Sequence, residues 1–211
     1  VYLNTFLGKN LGGVRTIAKT PILYRVHLNG RTAVQEWESE YTQNYDTACK
    51  ASSALSAALT RNLLAEIAQW NNAACSAVLH DFEKFFDTIN IPTLIAEAYQ
   101  VNYPLNDLAY TLQTHLAPRA LQINGCTSHL MPVYNSILAG CKHSVPKTRA
   151  LLARSCARFA RQHKEVKLAL YVDDASLFCS APTWGQVSGK LVPAVLDFIK
   201  LTKNLKLTVS P

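Results

Sequence analysis

Little in this sequence points to a membrane, secreted or cysteine-metal protein. No run of about 18 apolar residues is present, which excludes a membrane-spanning helix of the ordinary kind. No secretory leader opens the chain, so a reduced intracellular setting is the expectation, with nucleus and cytoplasm equally open. The six cysteines (Cys49, Cys75, Cys126, Cys141, Cys156 and Cys179) include no C-x-x-C pair, and they read as small core hydrophobes rather than metal or redox ligands. The six histidines show no metal-ligand spacing either; His80, next to Asp81, reads as a structural or outer-shell group. Charged residues make up only 17% of the chain. Internal repeats, low-complexity tracts and flexible linkers are missing. Methionine occurs once, at Met131, and the chain begins at Val1, which reads as a fragment of something longer.

What is present supports a folded polyanion binder. The chain has 211 residues and is 49% hydrophobic, enough to bury a core as one domain or two packed subdomains. Lys and Arg outnumber Asp and Glu by 21 to 14, a formal charge of +7, with a pI near 9.1. Clustered cations favour phosphate backbones, because binding releases condensed counterions. A basic but unspecific surface explains the same charge equally well.

Strands and helices interleave. Val1 to Lys9 and Val14 to Lys19 flank Asn10-Leu11-Gly12-Gly13 and read as a hairpin. Leu55, Leu59, Leu63 and Ile67 recur every fourth residue between Thr47 and Gln69, which predicts a helix with one buried face. Ser76 to Leu79 reads as a short strand ending at His80-Asp81. Helices are expected over Pro92 to Gln100 and Asn106 to Leu116. Arg119 to Ile123 and His129 to Val133 should pair around Asn124-Gly125, through a connection longer than two residues. A long helix is expected from Ser144 to His163, with Arg154, Arg158 and Arg161 sharing a face at i, i+4 and i+7. A strand over Lys167 to Val172 turns at Asp173-Asp174 and returns through Cys179. A last helix over Gln186 to Asn204 should be kinked or divided at Pro193. Trp37, Trp70 and Trp184 are expected to pack. This alternation predicts an α+β architecture, a small antiparallel sheet backed by helices.

The chemistry concentrates in Leu170-Tyr171-Val172-Asp173-Asp174-Ala175-Ser176. Two adjacent carboxylates repel and raise each other's pKa unless a cation sits beside them. An Asp-Asp turn is the plain alternative. A second carboxylate has the same setting in Ala77-Val78-Leu79-His80-Asp81-Phe82. If the strands are neighbours, Asp81 and Asp173 face each other and can hold two divalent ions roughly 3.5–4 Å apart. Strand alternation points Asp173 and Asp174 to opposite sides, so one of the two would be a full ligand of both ions and the other peripheral. Mg²⁺ suits such an oxygen set, completed by water and substrate phosphates.

Tyr-Val-Asp-Asp after an apolar strand, with an earlier strand carrying Asp81 and then Phe86-Asp87, resembles motifs C and A of reverse transcriptases, especially those of retroelements without long terminal repeats. The resemblance spans nearly the whole chain. Lys9, Gly12-Gly13 and Arg15-Thr16-Ile17 resemble the fingers hairpin, and Asn135 to Ser144 resembles motif B. It implies a right-hand polymerase α+β fold of fingers and palm, thumb absent, with fingers over 1–75 and palm over 76–211, the palm holding a helical fingers insertion at about 90–118. It implies an RNA-directed DNA polymerase that adds dNTPs to a primer 3′-OH, with RNA template, DNA primer and dNTP as partners, alongside the missing thumb and other domains of a parent polyprotein. Asp81, Asp173 and Asp174 would be the catalytic and metal residues, holding two Mg²⁺ ions or Mn²⁺ in their place. Lys9, Arg15, Phe86, Gly140 and Ser144 would contact the nucleotide, Phe86 as the ring that obstructs a ribose 2′-hydroxyl.

The sequence departs from the family pattern at Ala139 (usually Gln), Lys142-His143 (usually Pro-Leu), Phe85 (usually small) and Thr16 (usually Pro). A catalytically inactive nucleic-acid-binding remnant is therefore the rival reading. An RNA-directed RNA polymerase is a further one, against which Phe86 and the Tyr-Val-Asp-Asp string argue.

Overall fold

The computed structural model describes residues 2–8, 14–49, 52–123 and 126–209. Among them the chain forms eight α-helices and seven strands in two sheets. It divides into two compact units, residues 1–40 with 86–151 and residues 41–85 with 152–211. The α+β expectation holds. No helix among the described residues is long and apolar enough to cross a membrane.

In the first unit, strands β1 (Tyr2–Gly8) and β2 (Val14–Lys19) pair antiparallel, as the hairpin pattern predicts. β1 also pairs in parallel with β4 (Arg119–Ile123), which continues to β5 (Cys126–Thr127), for a sheet ordered β2-β1-β4-β5. This second hairpin closes sooner than expected: Ile123 pairs with Cys126, and His129 to Val133 contributes one bridge, Met131 to Arg119. Two helices escape the sequence pattern, α1 (Ile22–Asn29) and α2 (Ala33–Tyr41). Each buries only two side chains, Tyr24 and Leu28 in one and Val34 and Trp37 in the other. Exposed Ile22, Leu23 and Val26 blur the periodicity of the first. The Trp37 indole donates to the Val101 carbonyl at 2.8 Å and packs edge-on against Tyr103.

A sealed polar cluster lies in this unit. Lys147 is fully buried, with its Nζ 3.4 Å from both ring nitrogens of His115. The Tyr24 hydroxyl lies 3.4 Å from His115 Nε2 and from the Cys141 sulfur. Burial lowers the Lys147 pKa to about 7. Burial first, then the Lys147 charge, lowers His115 to about 2 and His143 to about 4. Neither ring nitrogen of buried His143 has a hydrogen-bond partner among the described residues.

The second unit is built on an antiparallel sheet of β3 (Ala74–Asp81), β7 (Asp174–Ala181) and β6 (Lys167–Tyr171), with β7 central. Helix α8 (Trp184–Asn204) covers one face as a continuous element, so Pro193 does not divide it. Its Phe198 is fully buried and stacks on His80 at 5.4 Å between ring centroids. Leu177 and Cys179 on β7 are fully buried as well. Helix α7 (Ser144–Gln162) contributes residues to both units.

Helix α3 (Ala54–Trp70) corrects the sequence reading. Leu55, Leu59, Leu63 and Ile67 are 78%, 55%, 47% and 55% exposed, and Ala68 is the buried residue of the helix. Leucine spacing shows that one face is apolar but not which way it points. Trp70 and Trp184 are likewise exposed, so of the three tryptophans only Trp37 packs in the core. The cysteines divide: Cys141, Cys156 and Cys179 are buried, Cys49 and Cys75 half-buried and Cys126 exposed, all as free thiols.

Candidate active site

Strand register brings the acidic residues to one end of the three-stranded sheet. Asp81 pairs directly with Asp174, and Asp174 pairs with Tyr171 on its other side. Directly paired residues share a face and have Cβ atoms about 4.5–5.5 Å apart. Asp81, Asp174 and Tyr171 therefore form a row across three strands. Alternation puts His80, Ala175 and Leu170 on the opposite face, where His80 meets Phe198. The turn between β6 and β7 is Val172-Asp173, not Asp173-Asp174, so Asp173 sits in the connection and Asp174 in the strand. The facing pair is thus Asp81 with Asp174, rather than Asp81 with Asp173. Val172 has φ 58°, a left-handed conformation that is strained for a β-branched residue, at a cost of about 1–3 kcal/mol.

The α3 side of the sheet leaves a cleft of about 390 Å³, lined by Ala57, Arg61, Leu79, Asp81, Tyr171 and Asp174 among others. Small alanines on α3 let the cleft stay open above the row. Partial burial, and then the neighbouring Asp173 and Asp81 carboxylates, raise the Asp174 carboxyl above its ordinary range, with Arg61 opposing. Arg61 is a site residue that the sequence pattern did not reveal. Its signal was modest: it is the only cation in α3.

The donor set is all oxygen and carries more negative charge than one arginine offsets, which fits hard divalent cations. No three His, Cys, Asp or Glu side chains among the described residues are gathered closely enough to enclose an ion alone. Mg²⁺ does not need such a cage, since one or two carboxylates with water and substrate phosphates hold it.

The other candidate residues lie elsewhere in the chain. Lys9 and Gly12-Gly13 fall outside the described residues, and Arg15 is paired with Leu7 through the β1–β2 ladder. Phe86, Gly140 and Ser144 belong to the first unit. The Phe86 carbonyl accepts from Ile137 N at 2.8 Å, and its ring is half-buried. Gly140 has φ 84°, while a Cβ there would meet nothing within 4 Å, so backbone conformation and not space calls for glycine. Buried Ser144 donates its hydroxyl to the Leu138 carbonyl at 2.6 Å, tying down the loop before α7. Phe85 is 2% exposed and stacks on Phe82 at 5.0 Å, which accounts for a large residue at that position.

The profile of the family described as "Reverse transcriptase (RNA-dependent DNA polymerase)" matches residues 9–211. The chain belongs to this reverse transcriptase family. No curated protein matches it. Solved telomerase structures share the fold. Apo telomerase from Candida tropicalis truncated from the C-terminal domain superposes with a TM-score of 0.67 at 11% identity, over 99% of this chain and 48% of that one. Telomerase from Candida albicans in complex with a TWJ fragment of telomeric RNA gives 0.65 at 10% identity, over 100% of this chain and 40% of that one. A further apo telomerase from Candida tropicalis gives 0.62 at 12% identity, over 99% and 42%. This reverse transcriptase chain therefore has the fingers-and-palm fold and spans less than half the length of these telomerases.

Proposed function

We propose that this reverse transcriptase chain is the catalytic core of an RNA-directed DNA polymerase from a retroelement without long terminal repeats. It would add dNTPs to a DNA primer 3′-hydroxyl on an RNA template. One observation carries this reading: Asp81 stands directly opposite Asp174 at the sheet end, with Asp173 in the adjoining turn. Two Mg²⁺ ions, or Mn²⁺ in their place, would be held by these three carboxylates and would supply acidification of the primer hydroxyl and neutralisation of the triphosphate. The protein's own part is positional. The Asp81–Asp174 row is fixed by the strand ladder, and Arg61 moderates its charge from the cleft wall. Lys9 and Arg15 would hold the triphosphate, since a guanidinium fork matches phosphate oxygens. Gly140 and Ser144 shape the motif B loop, and Phe86 would exclude a ribose 2′-hydroxyl.

Asp81→Asn in the intact parent protein should abolish primer extension and weaken Mn²⁺ binding measured by electron paramagnetic resonance. Retained extension would overturn the assignment. The Ala139 departure favours a second reading, a remnant that binds nucleic acid without turnover. Single-nucleotide incorporation set against filter binding on one primer-template separates the two, because a remnant binds and does not extend.

A further inference from the structure

The loop that carries Gly140 is gripped on both sides by contacts to one buried ring. Its tip, Ala139-Gly140, is exposed, while Ile137, Leu138 and Cys141 flanking the tip are buried. His115, the last residue of α6 (Leu105–His115), is fully buried. The Leu138 N–H donates to His115 Nδ1 at 3.3 Å. Accepting there needs the Nδ1 lone pair, so the ring is neutral and carries its proton on Nε2. Nε2–H then donates to the Tyr24 hydroxyl at 3.4 Å, which leaves that hydroxyl's own hydrogen for the Cys141 sulfur, also at 3.4 Å. The chain of contacts starts at Leu138 and returns at Cys141, closing around the two-residue tip.

The surroundings keep the ring in that form. Lys147 Nζ lies 3.4 Å from both ring nitrogens, which it can do only over the ring face, off the in-plane lone pairs. Burial, and then the charges of Lys147, Arg119 and His143, oppose a proton on the ring. The Leu138 carbonyl accepts from the Ser144 hydroxyl at 2.6 Å and from Cys141 N at 3.2 Å, tying the loop to the start of α7. Ser136, where the loop begins, has φ 113°, a conformation that costs a non-glycine residue about 1–3 kcal/mol and must be held from outside. Arg119 holds it, donating to the Ser136 hydroxyl at 3.1 Å and to the His115 carbonyl at 3.0 Å.

We propose that His115 is a positioning residue for nucleotide binding: through Leu138 on one side, and Tyr24 and Cys141 on the other, its ring sets the Ala139-Gly140 tip in the conformation that meets the incoming nucleotide. A nucleotide at the tip rests on the polymerase reading, whereas the hold on the loop stands on the contacts alone. Deleting the Nδ1 acceptor leaves a buried N–H unpaired, so the tip loses its fixed conformation and nucleotide affinity falls before the chemical step does.

The test compares three substitutions in the intact parent protein. His115→Leu deletes the acceptor, His115→Asn offers a side-chain oxygen where Nδ1 stood, and Tyr24→Phe cuts the link to Cys141 while keeping the aromatic ring. Each is read by hydrogen exchange at the Leu138 amide and by single-nucleotide incorporation kinetics. His115→Leu should speed exchange and raise the KM for dNTP, each about tenfold, with kcat changed less than about threefold. Tyr24→Phe should raise KM about threefold, and His115→Asn should recover most of the loss. Thr111→Val removes a buried hydroxyl that bonds to carbonyls of α6 itself and should move neither readout. Equal effects of His115→Leu and His115→Asn, a fall in kcat at unchanged KM, or unaltered exchange at Leu138 would overturn the proposal. Should His115→Leu fail to fold, an unchanged KM in Tyr24→Phe overturns it as well. Incorporation that survives Asp81→Asn defeats the polymerase reading and leaves the Leu138 exchange result standing, whereas unaltered exchange in His115→Leu defeats the His115 role alone.

Discussion

Two polar clusters of this chain handle unbalanced charge in opposite ways. At the end of the β3-β7-β6 sheet, Asp81, Asp173 and Asp174 crowd like charges together beside an open cleft, with Arg61 as the opposing charge on Asp174. In the first unit, Lys147 and His115 are fully buried, and burial holds their pKa values low, so that they tend to neutrality. Exposed repulsion is relieved by recruiting a cation from outside, while buried charge is relieved by giving up the proton. The first arrangement suits a site that takes a ligand, and the second suits a scaffold.

Substitutions in the two clusters should therefore move different readouts. The largest effect is expected from Asp174→Asn, which should lower nucleotide incorporation by about 10²–10³-fold and leave the urea midpoint unchanged or slightly higher, because a repulsion is removed. A matching collapse of stability would mean that the carboxylates are structural. Leu177→Ala, on the covered face of the same central strand, should instead cost about 2–5 kcal/mol in urea unfolding.

Lys147→Met should stabilise the fold below pH 7 by at least ~1 kcal/mol, the equivalent of one pKa unit. The direction follows from proton counts. With the folded pKa near 7 and the ordinary value at 10.5, the unfolded chain binds the extra proton between those limits, so wild-type stability rises with pH across that window. The variant should lose that slope. His143 and His115, depressed to about 4 and about 2, should make both proteins lose stability as pH falls below 6.5. The smallest effect is expected from Leu59→Gln and Leu63→Gln on α3, within about 0.5 kcal/mol by thermal unfolding. A loss of several kcal/mol would show that this apolar stripe is covered.

Much of the candidate site was legible because its signals are local. Two apolar runs ending in Asp81 and in Tyr171-Val172-Asp173-Asp174 announce strands that present acids at their tips, and the sheet pairs those strands. The register was not legible. A one-residue difference in where the turn falls exchanges Asp173 for Asp174 as the partner of Asp81, since neighbouring strand residues point to opposite faces. Arg61 was missed because its relation to Asp174 depends on how α3 crosses the sheet. Helices α1 and α2 were missed because two buried side chains each leave too short a pattern.

Chain order and residue type alone determined the element types outside α1 and α2, the basic balance, the family motifs and the presence of an apolar stripe on α3. Tertiary structure decided which way that stripe faces, that β1 joins β4 in parallel, that α8 passes Pro193 unbroken, and which carboxylates stand opposite each other. Periodicity along a chain reports only relations between near neighbours, while burial and register arise from partners distant in sequence, whose placement is a property of the packed whole.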